Sequence, residues 1–175
     1  MIVRLLGQHQ PEWFARLGTA LTPMDREVAA AYLDALSLSQ VAVEAVFDWR
    51  QTEAIGRHPD WDVRWWEREE AERERLYALC LQQFGREELL SRLSAATELA
   101  PHAIVQSAVD FAERCLVDNE AFARAAAGAA TMALHAAALA RLAGQGSEHV
   151  FMRKYALFES GRWPLGIVRN VFYLY

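Results

Sequence analysis

Residues 121–143, AFARAAAGAATMALHAAALARLA, decide the fold of this chain. Thirteen of these 23 residues are alanine, the strongest helix former, and no proline interrupts them. Because small side chains let neighbouring helices approach closely, the stretch predicts a central helix. We expect Asp118 or Asn119 to cap its start and Gly144 to mark its end.

Helical periodicity extends outward from this stretch in both directions. Apolar residues recur at three- and four-residue steps through most of the chain, and the segment from Gly56 to Asp60 is the clearest break. The sequence therefore predicts an all-α, single-domain, multi-helix bundle over residues 1–175. The predicted helices cover residues 12–21, 22–36, 60–84, 86–96, 101–117 and 147–158, with a further apolar helical face over 41–49.

The C-terminal residues differ from the rest, because two β-favouring runs lie at 163–168 and 171–175. Asn170 between them tolerates a positive φ, which suits a two-residue turn with Arg169. We therefore expect residues 162–175 to form a β-hairpin-like tail. Since a lone hairpin is marginal in water, it needs a packing partner, and residues 2–6 are a candidate third strand.

Composition and charge exclude several classes of protein. The chain has 175 residues, 53% of them hydrophobic, which is ordinary for a folded domain. Its net charge of −5 argues against a nucleic-acid binder, and two cysteines are too few for a secreted disulfide scaffold. Residues 125–140 are too short and too weakly apolar for a membrane span, and no signal peptide is evident. We expect a cytoplasmic protein without a cofactor.

Two polar stripes are candidates for chemistry. His102, Asp110 and Glu113 lie on one face of a predicted helix, and His135 lies on the next helix with Arg124, Gly128 and Thr131. Imidazole and carboxylate groups can hold a metal or transfer protons, so one hypothesis is a metal-binding protein or enzyme with a site between these helices. The alternative is that amphipathic surface helices produce the same spacing. Common catalytic motifs are missing, which favours a binding protein over an enzyme.

Two surfaces are candidates for a protein partner. The first is the charged middle of the helix at 60–84, which we expect to project into solvent or to form a bridge between two anchored ends. The second is the basic and aromatic C-terminal block, since Arg, Trp and Tyr concentrate binding energy. Each surface also has an explanation that needs no partner. The first could be a solvated helix face, and the second could be a hairpin packed on the core. The candidate contact residues are Glu67, Glu69, Glu70, Glu72, Glu74, Arg162, Trp163, Tyr173 and Tyr175.

The Ala-rich helix and the closing sequence at 158–166, FESGRWPLG, resemble small helical immunity proteins of bacterial toxin systems over about a third of the chain. Such proteins bind a toxin domain and block its active site, and acidic ones often face basic nuclease toxins. The resemblance therefore implies a basic toxin domain as partner, bound by the acidic residues. A third hypothesis is a structural or regulatory homo-oligomer joined through the aromatic hairpin.

Overall fold

The computed structural model describes residues 12–98, 100–115 and 119–175. Within these ranges the chain forms seven helices and one small sheet, which confirms a mainly α-helical bundle with a short C-terminal hairpin. The elements in chain order are α1 (Pro23–Ala35), β1 (Ala42–Ala45), α2 (Trp49–Gly56), α3 (Val63–Phe84), α4 (Arg86–Thr97), α5 (Ala100–Cys115), α6 (Asn119–Leu142), α7 (Val150–Glu159), β2 (Pro164–Val168) and β3 (Val171–Leu174).

The Ala-rich helix α6 is central, as its composition predicts. It packs against α5 on one side, α7 on another, and α3 and α4 on a third. Ala126, Ala130, Ala133 and Ala137 are buried at these contacts, where their small side chains permit close helix approach. The predicted end before Gly144 is confirmed, because α6 ends at Leu142.

Within the described part of the chain, residues 120–142 of α6 are long and apolar enough to cross a membrane by length and composition. The mean hydropathy of the most apolar window is 1.2, and 56% of it is buried against other parts of the protein. The core helix of a soluble protein passes the same test.

The other predicted helices from residue 60 onward are present, with ends that differ by a few residues. The N-cap of α3 is Asp62 rather than Asp60, because the Asp62 carboxylate accepts a hydrogen bond from the Arg64 amide. The N-cap of α7 is His149 rather than Ser147, and its Nδ1 accepts from the Phe151 amide.

Two predicted helical segments before residue 50 are wrong. Residues 13–18 form turns, with Phe14 and Gly18 at positive φ. Besides short-range turn hydrogen bonds, the segment is held by the Gly161 carbonyl, which accepts from the Arg16 amide, and by Arg162, which donates to the Arg16 carbonyl. Residues 42–45 form strand β1, whose backbone pairs with β3, and α2 begins only at Trp49. Both segments are shaped by partners that are distant in sequence.

The C-terminal hairpin is confirmed in a three-stranded sheet of order β1-β3-β2. β2 and β3 are antiparallel, and Arg169 and Asn170 both have positive φ at the predicted turn. The third strand is β1, which pairs in parallel with β3. The earlier candidate, residues 2–6, lies outside the described residues.

The long helix α3 lies against the protein along its whole length. Its buried side chains are Trp65, Glu69, Leu76 and Cys80, which follow one narrow stripe. The prediction of a projecting middle is therefore wrong, because Glu69 anchors that middle in the interior. One side of α3 remains exposed, and it forms part of the candidate site.

Candidate functional site: the outer face of α3 and the α6 cleft

The exposed side of α3 combines acidic and aromatic residues. At 100° per residue, five of the acidic and aromatic side chains between residues 66 and 77 fall within an arc of about 100°, and we call them the α3 outer face. Trp66 retains 48% of its surface and Tyr77 retains 37%, so two large aromatic side chains are partly exposed on the same face. The members of this face are Trp66, Glu67, Glu70, Glu74 and Tyr77.

The ion pairing along this face leaves net negative charge. Glu70 pairs with Arg73 of the same helix, and that guanidinium lowers the pKa of the Glu70 carboxyl. Glu67 and Glu74 form no ion pair among the residues that the structure describes. Their two charges are therefore free to interact with a partner.

The remaining two predicted contact glutamates point elsewhere. Glu72 lies beside α7, where its carboxylate bonds Arg75 at 2.6 Å and His149 Nε2 at 2.7 Å. The Arg75 guanidinium, with help from His149, lowers the pKa of Glu72 despite partial burial. Glu72 therefore fastens α7 to α3 and is not part of the α3 outer face.

Glu69 is the centre of a buried polar network and is only 8% exposed. Its two carboxylate oxygens accept from the Tyr32 hydroxyl at 2.6 Å and from Lys154 Nζ at 2.6 Å. The Tyr32 oxygen in turn accepts from the indole of Trp65, and Lys154 lies 5.0 Å from the Trp65 ring centroid. Burial and the Glu69 charge raise the pKa of Tyr32, which keeps it a hydrogen-bond donor. The network joins α1, α3 and α7, so Glu69 is structural.

A cleft runs along α6 beside the α3 outer face, and we call it the α6 cleft. Its floor includes the polar stripe singled out from the sequence, namely Arg124, Gly128, Thr131 and His135. At the His135 end it deepens into a recess of about 370 Å³, and towards Arg124 it opens into a shallow groove of about 800 Å³. The stripe therefore does face a cleft, although that cleft is mainly apolar.

The walls of the α6 cleft come from three other helices. Val105 and Val109 of α5 form one wall, and Tyr77 of α3 with Leu93 of α4 forms the other. Met132 lies between the recess and the groove and keeps 58% of its surface exposed. Exposed apolar surface of this kind, rimmed by charged groups, is typical of protein interaction sites.

The internal packing of the described residues does not explain why position 128 is a glycine. It lies in the middle of α6, where glycine costs about 1 kcal/mol relative to alanine. A methyl group at this position would meet nothing within 4 Å, so no neighbour within the described residues requires a glycine there.

The proposed metal ligands do not converge. No group of three or more His, Cys, Asp or Glu side chains suited to a metal occurs among residues 12–98, 100–115 and 119–175. His102 and Asp110 are separated by about 12 Å of helix rise, and Asp110 accepts a hydrogen bond from Gln106. Glu113 is exposed further along α5, and His135 lines the α6 cleft. The described geometry gives no support to a metal centre at these residues.

The C-terminal block lies largely in the core. Arg162 is fully buried, and Trp163 and Tyr175 are buried against Trp49 and Phe122. Burial raises the pKa of the Tyr175 hydroxyl to about 12, and the nearby Cys115 and Asp48 contribute. Tyr173 is partly buried and packs on the same cluster. Arg162, Trp163 and Tyr175 are therefore unavailable to a partner, and the hairpin is pinned to the helical core.

No known protein family, curated protein or solved structure matches this chain. The resemblance to immunity proteins stays a prediction on that account. The structure does locate its motif, since Phe158, Gly161, Arg162 and Trp163 are buried. Most of residues 158–166 therefore contribute to the core of the fold.

Sequence reasoning did not identify the aromatic and apolar members of the site. Trp66, Tyr77, Val105 and Met132 are apolar, so periodicity assigned them no function. One sequence signal does exist, because Trp66 and Tyr77 lie beside the buried stripe of Trp65, Glu69, Leu76 and Cys80 and not within it. Large apolar residues outside the buried stripe of a helix indicate a second contact surface.

Proposed function

We propose that this protein is a protein-binding module whose α3 outer face holds a basic surface of a partner protein. The observation that carries the proposal is the exposure of Trp66 and Tyr77 beside three glutamates on one face of α3. No internal contact of the described protein accounts for this combination.

The aromatic residues would supply the affinity. Trp and Tyr are enriched among the few residues that dominate binding energy at interfaces. Here they mark the edge where the α3 outer face meets the α6 cleft, since Trp66 lies near Met132 and Tyr77 lines the recess. A partner side chain placed between them would be shielded from water on both sides.

The glutamates would orient the partner and raise the rate of association. Glu67 and Glu74 are not neutralised within the described residues, and the whole chain carries a net charge of −5. Complementary charge steers encounter and excludes wrong partners more than it adds affinity. A basic protein surface is the partner that this charge favours, and nucleic acid is disfavoured by the same charge.

The narrower form of the proposal is an immunity protein that acts in the bacterial cytoplasm. The acidic face and the resemblance at residues 121–143 and 158–166 support a basic toxin domain as the partner. Bound at the α3 outer face, the protein would act by occluding the active site of the toxin. In this form it performs no chemistry and needs no cofactor.

Reversal of the three outer-face charges tests the proposal. We expect the wild-type chain, tagged and isolated from its source cells, to retain one stoichiometric basic protein. The triple variant Glu67→Lys, Glu70→Lys, Glu74→Lys should lose it, because attraction becomes repulsion at the centre of the contact. Native mass spectrometry gives the stoichiometry, and calorimetry with the purified pair gives the affinity.

A matched variant separates local contact from overall charge. Glu27, Glu87 and Glu98 are exposed and lie on other parts of the surface, so their triple change to Lys alters the net charge equally. Retention of the partner by this control and its loss by the outer-face variant supports the proposal. Equal binding by both variants would show that the partner contacts another surface.

A further inference from the structure

Helix α7 begins at His149, whose ring is almost enclosed by the protein. Only 10% of the side chain is exposed, and its ring centroid lies 5.4 Å from that of Phe151. Nδ1 accepts a hydrogen bond from the Phe151 amide at 3.2 Å, and Nε2 lies 2.7 Å from Glu72 Oε1 on α3. The backbone of His149 is extended, as is usual for an N-cap. One ring nitrogen therefore caps α7, and the other fastens its start to α3.

The two contacts of the ring determine its protonation state. A peptide amide can only donate, so Nδ1 has to be the nitrogen without a hydrogen. The neutral tautomer with its hydrogen on Nε2 satisfies both contacts, because Nε2–H then donates to the Glu72 carboxylate. A protonated imidazole carries a hydrogen on each nitrogen. It therefore keeps the contact with Glu72 as an ion pair but has no acceptor left for the Phe151 amide.

We propose that His149 makes the start of α7 sensitive to protonation. The neutral ring caps the helix, whereas a proton on Nδ1 places two N–H groups, that of the ring and that of the Phe151 backbone, against each other. Because Nε2 stays bound to Glu72, the ring keeps its place and the first turn of the helix has to yield. Val150 and Phe151 are buried in the capped state, so opening of this turn exposes two apolar side chains.

Charged groups of both signs lie around the ring. On α3, Glu72 favours a charged imidazole, whereas Arg75, which binds the same carboxylate oxygen at 2.6 Å, and Arg68, which lines the depression beside the ring, oppose it. At the start of α7, Glu148 favours the charged ring and Arg153, its ion-pair partner, opposes it. The end of α1 lines the same depression with uncharged residues, namely Ala35, Leu36 and Ser37.

NMR spectroscopy of the full chain tests the inference, in a titration from about pH 8 downward through the range where an imidazole ordinarily changes charge. The ¹⁵N shifts of the His149 ring report which nitrogen carries a hydrogen, and the hydrogen-exchange protection factor of the Phe151 amide reports opening of the first turn. We expect the Nε2–H tautomer at the higher pH. As the ring gains its proton, protection of the Phe151 amide should fall about fivefold, the size typical for loss of one N-cap hydrogen bond.

Three variants locate the origin of this change. His149→Asn keeps a side-chain acceptor that gains no proton in this range, so protection of the Phe151 amide should no longer depend on the ring. Glu72→Gln keeps an acceptor for Nε2–H but removes its charge, so the ring should gain its proton at a lower pH and the loss of protection should move with it. His102→Asn is the control, since it removes an exposed imidazole on α5 and should change nothing at Phe151.

Circular dichroism verifies that each variant is folded. The Nδ1–H tautomer at the higher pH, or protection that stays constant while the ring titrates, would overturn the inference. A ring that stays uncharged until the protein unfolds, or a loss of protection that persists in His149→Asn, would do the same. None of these outcomes bears on the proposed partner contact, because Glu72 lies on the side of α3 opposite to the outer face.

Discussion

Arg162→Ala is expected to lower the free energy of unfolding by about 3–5 kcal/mol, because several hydrogen bonds from one buried cation, each worth about 1.5–3 kcal/mol, are lost together. The Arg162 guanidinium is fully buried between the N-terminal turns and α1. It donates to the carbonyls of Arg16 at 2.6 Å, Thr19 at 2.9 Å and Ala20 at 2.7 Å, and to Asp25 Oδ2 at 3.0 Å. Without it, three partly buried carbonyls lose a charged donor, which is costly, while Asp25 keeps its ion pair with Arg16 at 2.7 Å.

Urea unfolding measures this loss of stability. Two further variants show whether it comes from the hydrogen bonds of Arg162. Arg162→Lys keeps the charge but cannot bond several acceptors with one planar group, so it should lose most of the same stability. Arg57→Ala removes an exposed arginine and should leave the urea midpoint unchanged. A wild-type midpoint for Arg162→Ala would contradict the role assigned to this residue.

The same cluster predicts a dependence on acid pH. Burial alone would raise the pKa of Asp25, but hydrogen bonds from the Thr22 amide and from Arg162 together lower it below 3.8. A carboxyl with a lowered folded-state pKa contributes stability above its unfolded pKa and loses it as the pH falls through the folded value. We therefore expect a stability loss below about pH 3.8 that is smaller in Arg162→Ala.

Glu69→Ala is the second large effect, and we expect it to cost about 3–5 kcal/mol. It leaves the Lys154 ammonium without its carboxylate in a partly buried site and the Tyr32 hydroxyl without an acceptor. The contact between α3 and α7 then loses its central ion pair. Thermal and urea unfolding of the purified variant measure the change.

Glu67→Ala is the matched control, since it removes an exposed glutamate two residues away on the same helix. Its stability should equal that of the wild type, and its partner binding should fall instead. Replacement of Glu69 by Gln keeps the shape and the hydrogen-bond acceptor but removes the charge, so an intermediate loss is expected. Equal stability of Glu69→Ala and Glu67→Ala would show that the buried network contributes little.

The sequence alone predicts the parts of the fold that depend on local patterns. Periodicity and composition identify α3 to α7, and the tolerance of Asn170 for positive φ identifies the hairpin turn. The N-terminal turns and β1 could not be predicted in this way, because hydrogen bonds from Arg162 and from β3, more than 100 residues away, help to hold them. Long-range partners override local propensity in both places.

Only part of the candidate site could be predicted from the sequence. The burial of Glu69 could have been inferred, because it shares a stripe with Trp65, Leu76 and Cys80. Once that stripe is recognised, helix geometry alone tells which of the neighbouring glutamates face the interior and which face solvent. The α6 cleft could not be inferred, since it depends on how α3, α5 and α6 are placed relative to one another.

Hydroxyl-radical footprinting tests the proposed contact surface most directly. The free protein, at a concentration where it is monomeric, is compared with its complex with the co-purified partner. Trp66 and Tyr77 should be protected in the complex, whereas Met24 and Phe47, which are similarly exposed but lie outside the site, should react as before. Protection of Met24 and Phe47 with unchanged reactivity at Trp66 and Tyr77 would contradict the account.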